Sequence, residues 1–250
     1  MDSDAPTSPG PGAWSLFASP ATLIALALIL AHGARVALDP QTQLLALREA
    51  AFVPARLWAA MAPETIAARL GWALRESPEA GRAAAFWLGD HVAPWSLITY
   101  VGVHLSWAHA LSNAGLIALC AAPAARRMTG ARFAGFMTTG AVAGAAAQAS
   151  ALDVGLSPLA GASACVCASI GAWARMRSEP GGATRLSPLA ESGRRAHGWA
   201  AFVAGAAAIA ASAALADDPG SIGWRAHLGG YVAGFLCVGA FERRRKTDRA

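Results

Sequence analysis

Five polar side chains interrupt otherwise apolar stretches and are the residues best suited to chemistry: His104, His109, Asn113, Ser163 and His227. A serine hydroxyl becomes a nucleophile when a neighbouring base takes its proton. A histidine, whose pKa is about 6.5, suits that role. On a helix, His109 and Asn113 share one face because they are four residues apart. The residue types therefore indicate nucleophilic catalysis by a serine with a histidine base.

Other chemistries are less well supported by the spacing. His104 and His109 are five residues apart with no Glu after His104, so the H-E-x-x-H motif of zinc proteases is absent. Cys165 and Cys167 form C-x-C without a second pair, which disfavours a zinc site. No Asp, Glu or Lys falls clearly inside an apolar stretch, which argues against a carboxylate proton relay. We expect no metal and no cofactor.

The composition predicts that these residues lie within a membrane. The 250-residue chain is 55% hydrophobic and only 14% charged, whereas soluble domains carry about 25% charged residues. A soluble enzyme, a disordered chain and a fibrous repeat are therefore disfavoured. We predict an all-α membrane protein, a single domain over residues 1–250 with six transmembrane helices at 14–38, 97–122, 131–150, 156–174, 199–216 and 221–241.

Charge sets the predicted orientation. Clustered arginines lie between spans two and three, between spans four and five, and after span six, whereas Asp153, Asp217 and Asp218 lie in the opposite loops. The positive-inside rule places the basic segments in the cytoplasm, together with the tails 1–13 and 242–250. The formal charge of +5 is thereby explained by topology, and we expect no nucleic-acid partner.

Residues 39–96 form a long external loop in this topology. The loop is amphipathic, with Trp58, Trp72 and Trp87 between charged residues. We expect short helices that lie in the membrane interface. A small helical cap outside the membrane is the alternative.

His109, Ser163 and His227 each lie early in a predicted span that runs from outside to inside, and we predict that they share one depth in the membrane. Ser163 follows the start of span four by seven residues, and His227 follows the start of span six by six, which is about 10 Å at 1.5 Å per residue. Gly230 and Gly234 form a G-x-x-x-G face suited to close helix packing. Packing this face against span four would bring the imidazole to the hydroxyl. Unrelated buried hydrogen bonds are the competing interpretation, and His104 by itself reads as a structural histidine.

These motifs resemble the rhomboid family of intramembrane serine proteases. The family pattern H-x4-H-x3-N is matched by His104, His109 and Asn113. Its G-x-S-G is matched by Gly161 and Ser163, and its histidine with two spaced glycines by His227, Gly230 and Gly234. Trp95 also matches, nine residues before the first histidine. The resemblance covers about residues 95–241.

The resemblance implies a role for each of these residues. Ser163 would be the nucleophile and His227 the general base and acid. His109, Asn113 and the Ser163 backbone N–H would form the oxyanion hole. His104, Gly161, Gly230, Gly234 and Trp95 would have supporting roles.

Four positions depart from the family pattern. Ala164 replaces the glycine after the nucleophile, and Cys167 replaces an aromatic residue that packs on the catalytic histidine. Ser96 replaces an arginine, and Ala125 a glutamate. These changes suggest a divergent member of the bacterial type.

The function implied is hydrolysis of a peptide bond in or near the transmembrane helix of a single-span membrane protein. We expect a location in the bacterial inner membrane, with the lipid bilayer as the surroundings of the enzyme. A non-catalytic rhomboid-like protein that binds transmembrane helices is the alternative, and a small-solute transporter a more remote one. The sequence does not determine the oligomeric state or the substrate.

Overall fold

The computed structural model describes residues 19–150, 157–178, 193–214 and 223–242. Within these ranges the chain folds into helices joined by short connections. The helices are α1 (Pro20–Val36), α2 (Pro40–Ala50), α3 (Pro54–Met61), α4 (Pro63–Glu76), α5 (Pro78–Leu88), α6 (Ser96–Thr99), the 3₁₀ turn η1 (Tyr100–Gly102), α7 (Trp107–Cys120), α8 (Ala122–Arg127), α9 (Gly130–Ala149), α10 (Ser163–Ser178), α11 (Gly193–Ala214) and α12 (Trp224–Phe241). When the described residues are searched, no helix is both long enough and apolar enough to cross a membrane.

Three helices, α9, α10 and α12, form the centre of the bundle. A Cβ atom built on Gly229 would lie 2.5 Å from the Ala143 carbonyl oxygen of α9. Between α9 and α10, a Cβ atom on Gly140 of α9 would lie 2.7 Å from the Ala168 Cβ of α10. Glycine and alanine at these contacts let the helix backbones approach closely.

The second predicted span is not one continuous helix. Residues 96–102 form α6 and η1, and Val103 then turns extended with φ −105° and ψ 138°. A new helix, α7, begins at Trp107, where the Ser106 side chain accepts a hydrogen bond from the His109 backbone N–H and caps the first turn. The expectation of a single helix over 97–122 is therefore wrong, and His104 lies in the connection before α7.

The fourth predicted span begins later than 156. Residues 157–162 are not helical, and α10 starts at Ser163. Pro158 and Gly161, whose φ of 109° is left-handed, fall in this non-helical segment. Ser163 is therefore the first residue of its helix, and the rise of seven helical residues assumed from the sequence does not exist.

The other predicted spans differ from the helices at their ends. The third, 131–150, corresponds to α9, and the first, 14–38, to α1, although residues 14–18 lie outside the described ranges. The fifth, 199–216, corresponds to α11, which begins earlier, at Gly193. The sixth, 221–241, corresponds to α12, which begins at Trp224. Residues 215–216, 221–222 and the two predicted tails, 1–13 and 243–250, also lie outside the described ranges.

The predicted external loop, 39–96, contains four short helices, α2 to α5, and their location in a membrane interface stays a prediction. Each begins with a proline, which is favoured at the first helical position because its fixed φ fits and its missing N–H is not needed there. The segment is attached to the bundle by the Trp58 indole N–H, which donates to the Ala149 carbonyl at 2.8 Å. A two-residue antiparallel bridge also joins Phe52 to Leu159, with N···O distances of 3.0 and 2.7 Å.

A polar cluster closes the same segment. The His91 ring hydrogen-bonds Asp90 at 2.8 Å and Glu49 at 3.1 Å. The bond from His91 holds the pKa of Asp90 below its usual value. Because the folded state favours the ionised carboxylate, the contribution of Asp90 to folding stability is present in full above the ordinary aspartate pKa. It is lost as the pH falls through the lowered value.

A buried glutamate joins the other ends of the helices. Glu242, at the end of α12, pairs with Arg127 of α8 at 3.0 Å, and its backbone carbonyl accepts from Arg132. Glu242 is buried. Ala125, at the position where the family has a glutamate, is buried among apolar residues and lies two residues before Arg127 in the sequence.

Candidate active site

The structure brings Ser163 and His227 into hydrogen-bond contact. The His227 Nε2 atom lies 2.8 Å from the Ser163 hydroxyl oxygen. Ser163 begins α10 and His227 is the fourth residue of α12, so both are near the N-terminal ends of neighbouring helices. The two residues therefore share one level of the bundle, although for a different reason from the helical rise assumed from the sequence.

Two glycines make this contact possible. A Cβ atom on Gly230 would collide with the backbone of Ala164, and one on Gly234 with the backbone of Ala168. The G-x-x-x-G face of α12 therefore lies directly on the backbone of α10. Since His227 is one turn before Gly230, this packing carries its ring to the start of α10.

His109 and Asn113 converge beside Gly161. A Cβ atom on Gly161 would lie 2.6 Å from the His109 Nε2 atom and 3.2 Å from the Asn113 Nδ2 atom. Any side chain there would fill the space between them, and the left-handed φ of 109° also favours glycine. Gly161 thus keeps a polar space open two residues before Ser163.

The Asn113 amide nitrogen is buried and has no hydrogen-bond partner among the described residues. An unsatisfied buried donor is costly, by about 1–3 kcal/mol, and native structures contain few of them. The amide N–H of Asn113 therefore faces the space beside Gly161 without an acceptor among the described residues.

His104 and Tyr100 hold the segment that precedes Ser163. The His104 Nε2 atom accepts the Ala162 backbone N–H at 3.4 Å. The Tyr100 carbonyl accepts the Gly161 N–H at 2.9 Å, and the Tyr100 hydroxyl donates to the Ala141 carbonyl at 2.9 Å. Tyr100 was not singled out in the sequence, because its contribution is mainly a backbone carbonyl that any residue type has.

The methyl group of Ala164 does not point into the site. A Cβ atom on Gly144 of α9 would lie 2.6 Å from the Ala164 Cβ, so this methyl packs towards α9. Ala164 is also buried. The added carbon is accommodated by the missing side chain of Gly144.

Cys167 leaves His227 without the aromatic neighbour that the family provides. Among the described residues no aromatic ring packs against the His227 ring. The aromatic residues of this region, including Phe202 and Tyr231, stack on each other instead, with ring centroids 5.5 Å apart. The hydrogen bond to Ser163 is therefore the polar contact that orients His227.

Trp95 contacts the 39–96 segment rather than the Ser163–His227 pair. Its indole N–H donates to the Glu49 carbonyl at 3.0 Å, and its ring lies 5.7 Å from the His91 ring. Ser96, at the position of the family arginine, is buried and donates to the Ala93 carbonyl. Both residues belong to the attachment of this segment.

Within the described ranges, no three His, Cys, Asp or Glu side chains come together in a way that could hold a metal ion. The four cysteines are free thiols. The polar side chains gathered at the site are one hydroxyl, three imidazoles and one amide, a set suited to acyl transfer. They belong to Ser163, His104, His109, His227 and Asn113.

The helical fold and the paired serine and histidine define a class of protein that comparison with known families can test. Residues 92–244 match the family model of the Rhomboid domain. This range is more than half of the 250 residues, and the chain therefore belongs to the rhomboid family, whose members are membrane proteins. The match and the helical structure together fit an all-α membrane bundle. No curated protein and no solved structure matches the chain.

Proposed function

We propose that this chain is an intramembrane serine endopeptidase that uses Ser163 and His227 as a catalytic dyad. The observation that carries the proposal is the 2.8 Å contact between the His227 Nε2 atom and the Ser163 hydroxyl oxygen. This distance lies within the range needed for a base to take the proton of a nucleophile. Membership of the rhomboid family supports the same function.

The reaction proceeds by acyl transfer. The Ser163 oxygen attacks the scissile carbonyl carbon while His227 takes the hydroxyl proton. The protonated His227 then gives this proton to the leaving amine nitrogen as the C–N bond breaks. Water hydrolyses the resulting ester by the same two steps, with His227 again as base and acid, which returns the free serine.

Three donors would stabilise the negative charge on the carbonyl oxygen. The His109 ring and the Asn113 amide meet beside Gly161, and the Ser163 backbone N–H lies at the free end of α10. A helix N-terminus leaves its first N–H groups without partners in the helix and favours negative charge. The sequence provides no acid within the predicted spans to orient His227, so the pair acts as a dyad.

The substrates we propose are single-span membrane proteins. A peptide bond in a regular helix is shielded by the helix hydrogen bonds, so a cleavable segment should contain Gly or Pro near a small residue. We propose that the chain crosses the bacterial inner membrane six times, with both termini in the cytoplasm and Ser163 near the external side. The arginine distribution supports this orientation.

Labelling with a fluorophosphonate probe tests the proposal. We expect the purified protein to be labelled at Ser163 and to cleave a model single-span substrate, and both activities to be lost in Ser163→Ala and His227→Ala. Ser169→Ala is a matched control, because Ser169 lies in the same helix and donates to the Cys165 carbonyl at 2.9 Å. Cleavage by Ser163→Ala, or labelling equal to wild type in His227→Ala, would contradict the dyad.

A non-catalytic rhomboid-like protein that binds transmembrane helices is the second candidate. The missing aromatic neighbour of His227 favours it, because the ring then depends on Ser163 for its orientation. This candidate predicts that the wild-type protein captures a transmembrane peptide but is neither labelled nor able to cleave it. Labelling of Ser163 excludes it.

A further inference from the structure

Arg35 links the first helix to the segment that contains His104. Near the end of α1, its Nη2 atom donates to the His104 backbone carbonyl at 2.8 Å. Its Nη1 atom lies 3.4 Å from the Gln43 side-chain oxygen, and Gln43 in turn donates to the Leu38 carbonyl at 2.8 Å. The guanidinium therefore contacts a side chain of α2 with one nitrogen and the connection before α7 with the other.

His104 connects Arg35 to Ala162, the residue before Ser163. Its carbonyl accepts from Arg35, and its ring accepts the Ala162 backbone N–H at 3.4 Å. His104 is completely buried and Ala162 nearly so. Because one buried residue is bound at both its backbone and its ring, a shift of its backbone would also move the acceptor of the Ala162 N–H.

The surroundings of His104 leave its ring little freedom. The His32 ring lies 6.3 Å away and the His109 ring 5.0 Å away, both nearly perpendicular to it. The His32 ring packs in turn on Trp107 at 4.6 Å. The imidazole is thus enclosed by rings from α1 and α7, and the backbone of its connection is the part that needs a separate anchor.

We propose that Arg35 is a positioning residue for the active site. By binding the His104 carbonyl, it fixes the imidazole that holds Ala162, and so sets the position of Gly161 and Ser163 relative to His109 and Asn113. The inference rests on the proposed function for its catalytic consequence, whereas the link from Arg35 to Ala162 is structural. Arg35 acts through His104 and does not touch the substrate.

The chemistry of the arginine fits this task. A hydrogen bond from a charged donor is stronger than one from a neutral donor, and the flat guanidinium can bind two acceptors at a fixed angle. Here the two acceptors are the Gln43 side chain and the His104 carbonyl. The connection of residues 103–106 is not helical, so it lacks the regular backbone hydrogen bonds of the helices on either side.

The labelling kinetics of Arg35→Gln test the positioning role. We expect the maximal rate of fluorophosphonate labelling to fall about tenfold, the loss expected for one charged hydrogen bond, with an unchanged probe concentration for half-maximal rate. Arg35→Lys should lose less. The exposed arginine of α5 provides the matched control, Arg82→Gln. A role in stability alone would reduce the folded amount but not the rate per folded molecule.

A kinetic cycle shows whether Arg35 acts through His104. In a His104→Ala background, the further change Arg35→Gln should slow labelling by less than twofold, because residues that act on one shared path are not additive. Independent, multiplied effects of the two changes would overturn the proposed path.

Hydrogen exchange tests the link without any need for catalysis. We expect Arg35→Gln to increase exchange at the Ala162 amide and to leave the Leu159 amide unchanged, since Leu159 donates to the Phe52 carbonyl at 2.7 Å. Unchanged exchange at Ala162 would overturn the inference. Absence of labelling in the wild-type protein would contradict the proposed function instead. The exchange rate at the Ala162 amide would still test whether Arg35 holds Ala162 through His104.

Discussion

At the scale of single residues, Gly161 shows how one position can satisfy two demands. Its backbone has the left-handed φ of 109°, and its missing side chain leaves space between His109 and Asn113. The sequence identified Gly161 only through the family motif. The structure gives the physical reason, because a side chain would be strained at this φ and would also collide with His109 and Asn113.

Asn113 provides a sharp prediction at this scale. We expect Asn113→Ala to lower kcat for a model substrate by about 10²–10³, the loss seen when one oxyanion donor is removed, with little change in KM. Because the amide nitrogen has no hydrogen-bond partner among the described residues, the change should not reduce the thermal stability. Steady-state kinetics and thermal unfolding measure the two effects.

The neighbouring residue supplies the control for that experiment. Ser112 lies on the same helix but is exposed, and its hydroxyl donates to the His109 carbonyl one turn earlier. Ser112→Ala should retain nearly the wild-type kcat. If Asn113→Ala raised KM and left kcat intact, Asn113 would bind the substrate rather than the transition state.

At the scale of helices, the active site depends on the distance between α10 and α12. The hydroxyl and the imidazole are on different helices, and no covalent connection shorter than the chain from 163 to 227 fixes their separation. Contact between the backbones at Gly230 and Gly234 fixes it instead. The same glycines that let α10 and α12 approach closely therefore set the separation of Ser163 and His227.

We predict that Gly230→Val separates the two helices and abolishes labelling of Ser163. A side chain at Gly230 must displace the Ala164 backbone, and overpacking of this kind costs about 1–3 kcal/mol. Labelling of Ser163 should be lost, whereas the unfolding temperature should fall only modestly. Thermal unfolding and probe labelling should be measured on the same preparation.

A control for Gly230→Val is available on the same helix. Ala240 is exposed near the end of α12, so Ala240→Val adds similar bulk without a collision. This variant should be labelled like the wild type. Normal labelling of Gly230→Val would show that the close approach of the helices is not needed for the dyad.

The 39–96 segment is a second element that influences the site, and its influence is indirect. It reaches the segment before Ser163 through the Phe52–Leu159 bridge and reaches α9 through Trp58. Leu159, Gly161 and Ala162 are thus each held by a different part of the chain, namely Phe52, Tyr100 and His104. Ser163 therefore follows a segment whose backbone is held at three points.

At the scale of the whole molecule, the distribution of charge predicts the orientation. Arginines cluster between spans two and three, between spans four and five, and after residue 242. If these segments face the cytoplasm, a green fluorescent protein fused after Ala250 should fluoresce and an alkaline phosphatase fused there should be inactive. The reverse result would place the C-terminus outside and invert the proposed access to Ser163.

The amino-acid sequence alone was sufficient to identify the family and to predict a chemistry for it. The types and spacing of His109, Asn113, Ser163 and His227, together with the glycines around them, were enough to predict a serine–histidine pair in a helical rhomboid-type bundle, and the family match confirms the family. These features are local, since each motif falls within a few turns of one helix or one short segment. The assignment of Ser163 and His227 to catalysis stays a prediction.

The ends of the helices and the backbone groups that hold the site could be identified only in the folded chain. Hydrophobicity does not distinguish an apolar helix from an apolar connection. We therefore predicted one span where the chain forms α6, η1, the non-helical residues 103–106 and α7, and we included the non-helical residues 157–162 in another. The bonds from Arg35 and Tyr100 involve backbone carbonyl groups distant in sequence. Every residue has such a carbonyl, so no pattern of side chains could reveal these bonds before the chain was folded.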